Sequence, residues 1–117
     1  MKVLFLDDDP DRMKHARRWF VNDTLSESET AEQAIKMLEK YSPYDLVSLD
    51  HDLGGNVFVP SDEVSGYAVA LYISKMPKEL LPKRVVIHSF NPAGAQNMIN
   101  VLRGIVPLIR QPFNLAT

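Results

Sequence analysis

The stretch that most constrains the fold is Tyr44–Leu53, YDLVSLDHDL. Leu46, Val47 and Leu49 form a short apolar run that starts just after Pro43 and closes in Asp50, His51 and Asp52. A run this short and apolar predicts a strand buried on both faces, as at the centre of a parallel sheet. Gly54-Gly55 follow at once. In open α/β sheets, ligands collect just beyond the carboxyl ends of the strands. Asp50–Asp52 is therefore the predicted floor of a site.

Other short apolar runs repeat the pattern. Val3–Leu6 ends in Asp7, Asp8 and Asp9, and Asp9-Pro10 reads as a helix cap followed by Pro at the first helical position. Met13, Ala16 and Phe20 supply that helix's apolar stripe, while Arg12, Lys14, Arg17 and Arg18 read as a solvated basic face. Thr24–Ser28 is polar enough for an edge strand. Thr30 and Gln33 form a capping box ahead of the stripe Ala31, Ala34, Ile35 and Leu38. After a 54–60 loop with the apolar tip Val57-Phe58-Val59, a helix is predicted from about Asp62 to Met76. Arg84–Ser89 is the fourth strand, Asn91-Pro92 opens a helix that Gly104 ends, and Ile105–Ile109 is the fifth strand. Pro107 inside that strand confines it to a sheet edge.

Strands alternating with helices predict a parallel sheet with right-handed crossovers. Placing the polar second and Pro-bearing fifth strands at the edges selects a flavodoxin-like, doubly wound five-stranded sheet of order 2-1-3-4-5. The 117 residues read as a single domain over 1–117, with enough apolar sequence (45%) to form its own core. A net charge of −2 gives no global pull toward nucleic acid or membrane. The absence of cysteine excludes disulfides, thiol catalysis and thiolate zinc sites. The apolar run at the N-terminus is too short for a signal peptide or a membrane span, so a cytoplasmic protein with no membrane partner is expected.

In that sheet order Asp7, Asp8 and Asp50 converge on one rim, with Ser89 on the next strand. Carboxylates packed so closely repel and need a cation or raised pKa values. Mg²⁺ or another hard divalent cation is the usual solution. Two of the three histidines, His51 and His88, sit at the same strand ends and are candidates for acid–base work. Asn91 begins a helix there, and a helix N-terminus suits an anion. A divalent site, acid–base groups and an anion seat together suit a phosphoryl group.

The segments VLFLDDD, LVSLDHD, VVIHS and the late QPF resemble the strands of response-regulator receiver domains over nearly the whole chain. That resemblance implies that Asp7 and Asp8 are the acidic pair, Asp50 the phosphoacceptor and Ser89 the hydroxyl residue after the fourth strand. It also places Asp52 where the metal is bound through a backbone carbonyl. The chain departs from receivers in having Gln111 where they carry a Lys before the late Pro, and in lacking the terminal helix. LDHDLGG with IHSxNPxG more closely resembles the cyclic-phosphate processing receiver domains, whose inferred role is on cyclic or terminal phosphates.

The expectation is accordingly a Mg²⁺-dependent phosphoesterase acting on a phosphate-bearing small molecule or RNA end. Asp7, Asp8, Asp50 and Asp52 would form the metal site; His88, His51 and Asp50 would be the catalytic groups; Ser89 and Asn91 would hold the phosphate. The alternatives are a phosphoacceptor switch using Asp50 and a non-catalytic binding module. A homodimer is also expected if Trp19, Phe20 and the Phe113-Asn114-Leu115 tail leave one sheet face uncovered.

Overall fold

The computed structural model describes residues 1–53 and 60–112. The expected loop tip Val57-Phe58-Val59 and the Phe113-Asn114-Leu115 tail lie outside the described residues. The elements are β1 (Lys2–Leu6), α1 (Pro10–Trp19), β2 (Thr24–Ser28), α2 (Ala31–Tyr41), β3 (Leu46–Leu49), α3 (Gly66–Ser74), β4 (Val85–Ile87), α4 (Pro92–Leu102) and β5 (Leu108–Arg110). All pairings are parallel and the order is β2-β1-β3-β4-β5, the flavodoxin-like arrangement.

Strand alternation divides the core. Leu4, Leu6, Val47, Leu49, Val85 and Ile87 join one cluster with Ala34 and Leu38 of α2, Val69 and Ile73 of α3, and Met98 and Leu102 of α4. Burying a side chain such as Leu49 contributes roughly 1.5–3 kcal/mol. The residue between Leu4 and Leu6, Phe5, points to the opposite face and packs with Met13 and Ala16 of α1, flanked by Phe20 and Leu25. Phe5 registers with Ser48, and Ser48 with Val86, so these three share the α1 face. Two residues further along each strand, that face ends in Asp7, Asp50 and His88.

Two boundaries differ from expectation. Helix α3 starts at Gly66 rather than Asp62, because Ser65 caps it by accepting from the Tyr67 N–H. Asp62 to Ser65 form a turn instead, in which the Ser65 hydroxyl donates to the Asp62 carbonyl. Gly66 abuts the Asp50 carbonyl so closely that a Cβ would overlap it. Strand β5 begins after Pro107, not around it; the proline contributes only its carbonyl, which accepts from the Val85 N–H. At the end of α4, Gly104 adopts a φ of +79°, the left-handed conformation that suits glycine beyond a helix C-cap.

Candidate acid site at the strand ends

The ladder continues one residue past the row Leu6, Leu49 and Ile87. The Asp7 N–H donates to the Ser28 carbonyl, Asp50 N–H to the Leu6 carbonyl and His88 N–H to the Leu49 carbonyl. Three neighbouring strands thus release an acid, an acid and an imidazole side by side. Asp7, Asp50 and His88 are all buried, and one potential ligand atom from each lies within 4.8 Å of the others. Asp8 does not belong to this group; its side chain is half-buried.

Asp7 is the hub. Its Oδ1 accepts from the Asp9 N–H (2.9 Å) and Arg12 Nη2 (3.1 Å), and its Oδ2 accepts from Arg12 Nε (2.7 Å) and His88 Nε2 (2.9 Å). Burial alone would raise the Asp7 pKa, but hydrogen bonds from His88 and Arg12 outweigh it and hold the carboxyl below its ordinary range. His88 moves the other way, because complete burial lowers its pKa despite the attraction of Asp7. A neutral imidazole that donates from Nε2 to ionised Asp7 must accept at Nδ1, and the Ser48 hydroxyl, 2.7 Å away, is the donor. The ring also stacks on Phe5, with centroids 4.7 Å apart and planes 3° from parallel.

Asp50 is less well served. Its Oδ1 accepts from the His51 N–H at 2.9 Å, while its buried Oδ2 has no hydrogen-bond partner. The nearest cation, Arg12 Nη2, stands 3.6 Å from Oδ2, an ion-pair distance too long for a hydrogen bond. Burial first, and then the charge of Asp7, push the Asp50 carboxyl up to about 8.

The remaining predicted residues gather on the other side of β3. His51 is completely buried; Nδ1 lies 2.9 Å from Asp52 Oδ1 and Nε2 lies 2.8 Å from Ser61 Oγ. Gly94 of α4 presses on this ring, and a Cβ there would fall 2.5 Å from it. Asn91 caps α4 through its Oδ1, which accepts from the Gly94 N–H, and its Nδ2 donates to Asp52 Oδ1 at 3.0 Å. Ser89 is buried and its hydroxyl accepts from the Asn91 N–H. The side chains of Asp52, His51 and Asn91 therefore form their own network under the start of α4, joined to Asp50 through the His51 N–H. At β5, Arg110 Nη2 donates to the Ser89 carbonyl at 3.4 Å. Gln111 is exposed and lines an apolar cavity of about 270 Å³ with Phe5, Trp19, Phe20, Val86 and His88.

Two residues of the acid site escaped the sequence reading. Arg12 is no part of a solvated face: it reaches from the first turn of α1 onto both carboxylates. A basic residue in a first turn opposes the helix dipole, and that misfit, directly after three aspartates, was the available signal. Ser48 carried none, because only the register of three strands places it beneath His88.

A family model described as "Cyclic-phosphate processing Receiver domain" matches residues 2–104. The chain belongs to this family. Solved receiver structures share its fold at low identity. The signal receiver domain of a Luxo repressor protein from Vibrio parahaemolyticus is 20% identical, with a TM-score of 0.66 over 97% of this chain and 80% of that one. A CheY-like response regulator receiver domain from Methanospirillum hungatei JF-1 is 17% identical, with a TM-score of 0.65 over 97% and 83%. A response regulator from Burkholderia pseudomallei, with a phosphorylated aspartic acid, calcium ion and citrate, is 14% identical with a TM-score of 0.68. This receiver domain covers 61% of that chain, and 97% of its own length is matched. No curated protein matches the sequence.

The phosphoesterase expectation is overturned. The family match is to a receiver domain, and the solved neighbours are signalling receivers, one of them phosphorylated on aspartate. The site itself offers no exposed imidazole to protonate a leaving group, since both rings are buried and bonded at both nitrogens. Among the described residues, no helix is long and apolar enough to cross a membrane.

Proposed function

We propose that this receiver domain is a phosphoacceptor module in which Asp50 carries the phosphoryl group. The observation that carries the reading is the buried, unpartnered Oδ2 of Asp50 at the carboxyl end of the central strand, flanked by Asp7 and a guanidinium. In the step proposed, an ionised Asp50 oxygen attacks the phosphorus of a phosphodonor. The new O–P bond forms as the donor's leaving group departs with its bonding pair, and an acyl phosphate results. Arg12, 3.6 Å from that oxygen, would face the added phosphoryl oxygens.

A hard divalent cation such as Mg²⁺ fits the donor set. The orphaned Asp50 Oδ2 needs a positive partner, and a second carboxylate, Asp7, lies within ligand range. Asp50 and Asp7 would hold it, with Asp8 and the Asp52 backbone carbonyl as further oxygen donors. When bound, it would neutralise charge on the transferring group. The natural partner is a protein that donates the phosphoryl group or reads the phosphorylated surface.

Incubation of the protein with acetyl phosphate and Mg²⁺, followed by intact-mass measurement, tests this. One added phosphoryl group, labile to hydroxylamine and lost in Asp50→Asn, is expected. No adduct under conditions that label a known receiver would reject it.

A further inference from the structure

Asp7 poses a stoichiometric problem for any cation. An ionised carboxylate has about four lone-pair positions, and Asp7 already accepts four hydrogen bonds: from the Asp9 N–H, His88 Nε2, and Arg12 twice. Two of the four donors hang on one movable side chain. The Asp9 N–H is fixed by the turn into α1, and His88 is clamped by Phe5 and Ser48. Arg12 projects from the first turn of α1 and its side chain is 23% exposed. It is therefore the donor that can leave.

The guanidinium also stands where an incoming cation would be drawn. It bridges Asp7 and Asp50, 2.7 Å from an oxygen of one and 3.6 Å from an oxygen of the other. Asp50 Oδ2, in a residue only 4% exposed, is left without a hydrogen bond beside it. The short bonds of the fork both go to Asp7, and Asp50 is left at 3.6 Å.

We propose that Arg12 is the resident cation of the acid site, and that its guanidinium and a divalent ion are alternative occupants of Asp7. The inference deepens the phosphoacceptor reading and rests on it for the purpose of the site. Arg12 holds the two acids together in the resting state. Divalent binding displaces its fork, freeing Asp7 oxygens for the ion and leaving the guanidinium near the group that Asp50 would carry. Arg12 thus sets the threshold of cation concentration at which the site becomes competent.

The test is calorimetric titration of the intact chain with Mg²⁺ and with Mn²⁺, for wild type, Arg12→Gln and Arg12→Lys. Gln retains an amide to bond Asp7 but removes the charge, and divalent affinity should rise at least tenfold. Lys retains the charge but loses the fork, and its affinity should fall between the two. Unchanged or weaker binding in folded Arg12→Gln would overturn the proposal, as would no divalent binding by either protein. A second readout needs no variant. The Arg12 Nε–H resonance of ¹⁵N-labelled wild type should shift and exchange with solvent at saturating Mg²⁺, and its persistence unchanged would also overturn the proposal.

The acetyl phosphate experiment separates this inference from its parent. An adduct without an Arg12 effect on divalent affinity leaves the phosphoacceptor reading standing and removes this one. The Arg12 effect without an adduct does the reverse.

Discussion

Replacing Asp50 with Asn should make the cation-free protein more stable at neutral pH, by an amount that grows with pH. In the folded chain the carboxyl is pushed from 3.8 up to about 8, chiefly by burial and by Asp7. Because the folded pKa lies above the unfolded one, this group's contribution is complete below about pH 4 and is lost as pH rises toward about 8. Between those limits the unfolded state binds fewer protons, so stability falls by up to about 1.4 kcal/mol per pH unit. At pH 7 that accumulates over about 3 units to an upper limit of about 4 kcal/mol. Asn carries no charge to bury, so the variant escapes most of this cost. Allowing for relaxation around the site, a gain of about 2–4 kcal/mol is expected, or on the order of 10 °C in Tm for a domain of this size. Thermal and urea melts of both proteins at several pH values from about 4 to 8, in chelator-treated buffer, measure it. Curves that coincide near pH 4 and separate toward pH 8 are expected. A pH-independent difference, or a variant less stable at pH 7, would refute the assignment of Asp50 as the strained acid.

Asp7 should behave in the opposite sense. Its folded pKa is depressed by His88 and Arg12 against the effect of burial, so its stabilisation is present above the unfolded value of 3.8 and is lost as pH falls through the folded value. Asp7→Asn should cost about 3–5 kcal/mol at pH 7, because Arg12 loses its charged partner, and the loss should shrink in acid-titrated urea melts. Ser48→Ala removes the donor to His88 Nδ1 and leaves a buried nitrogen unsatisfied, a loss of about 1–3 kcal/mol by denaturant titration. Gly94→Ala should cost about 1–3 kcal/mol, since its methyl would meet the His51 ring, and the His51 ring resonances should move. Gly66→Ala should be worse, because there the obstacle is the Asp50 backbone carbonyl, which cannot turn aside.

The parts of the fold legible in the sequence were those written in local pattern. Leu46–Leu49 and Val85–Ile87 are short, mostly apolar runs, and Asp9-Pro10 and Asn91-Pro92 mark helix starts by capping chemistry. The strand order followed from two edge signals, and it places Asp7 beside Asp50. The boundaries that shifted did so for local reasons: Ser65 outcompetes Asp62 as the cap of α3, and β5 begins only after Pro107. What pattern could not supply was the far end of long side chains. Arg12 looked solvated because its neighbours Lys14, Arg17 and Arg18 are exposed. Arg17 shows what such a residue ordinarily does, pairing at 2.7 Å with Glu27 at the surface. His51 and His88 were both acid–base candidates in sequence, with His88 ahead because it leads into the Asn91-Pro92 helix start, yet the pleat sends them to opposite sides of the sheet, His51 under Gly94 and His88 onto Asp7.

The charge state of the resting site limits what it can do. Asp7 is ionised and matched by Arg12, while His88 is held neutral by burial. Asp50, at about 8, is mostly protonated at neutral pH. A protonated carboxyl is a poor nucleophile, so the phosphoacceptor role proposed for Asp50 requires that its charge state change first. Arg12 does not remedy this, for its short bonds go to Asp7 and it reaches Asp50 only at 3.6 Å. Under the proposals above, activation would call for positive charge directed at Asp50 Oδ2, delivered either by an ion that frees Arg12 from Asp7 or by Arg12 itself after such a move. On the phosphoacceptor proposal, the same burial that destabilises the folded chain at pH 7 would keep Asp50 unreactive until a cation arrives. A variant that relieves the strain by losing the acid, such as Asp50→Asn, would lose the proposed acceptor with it.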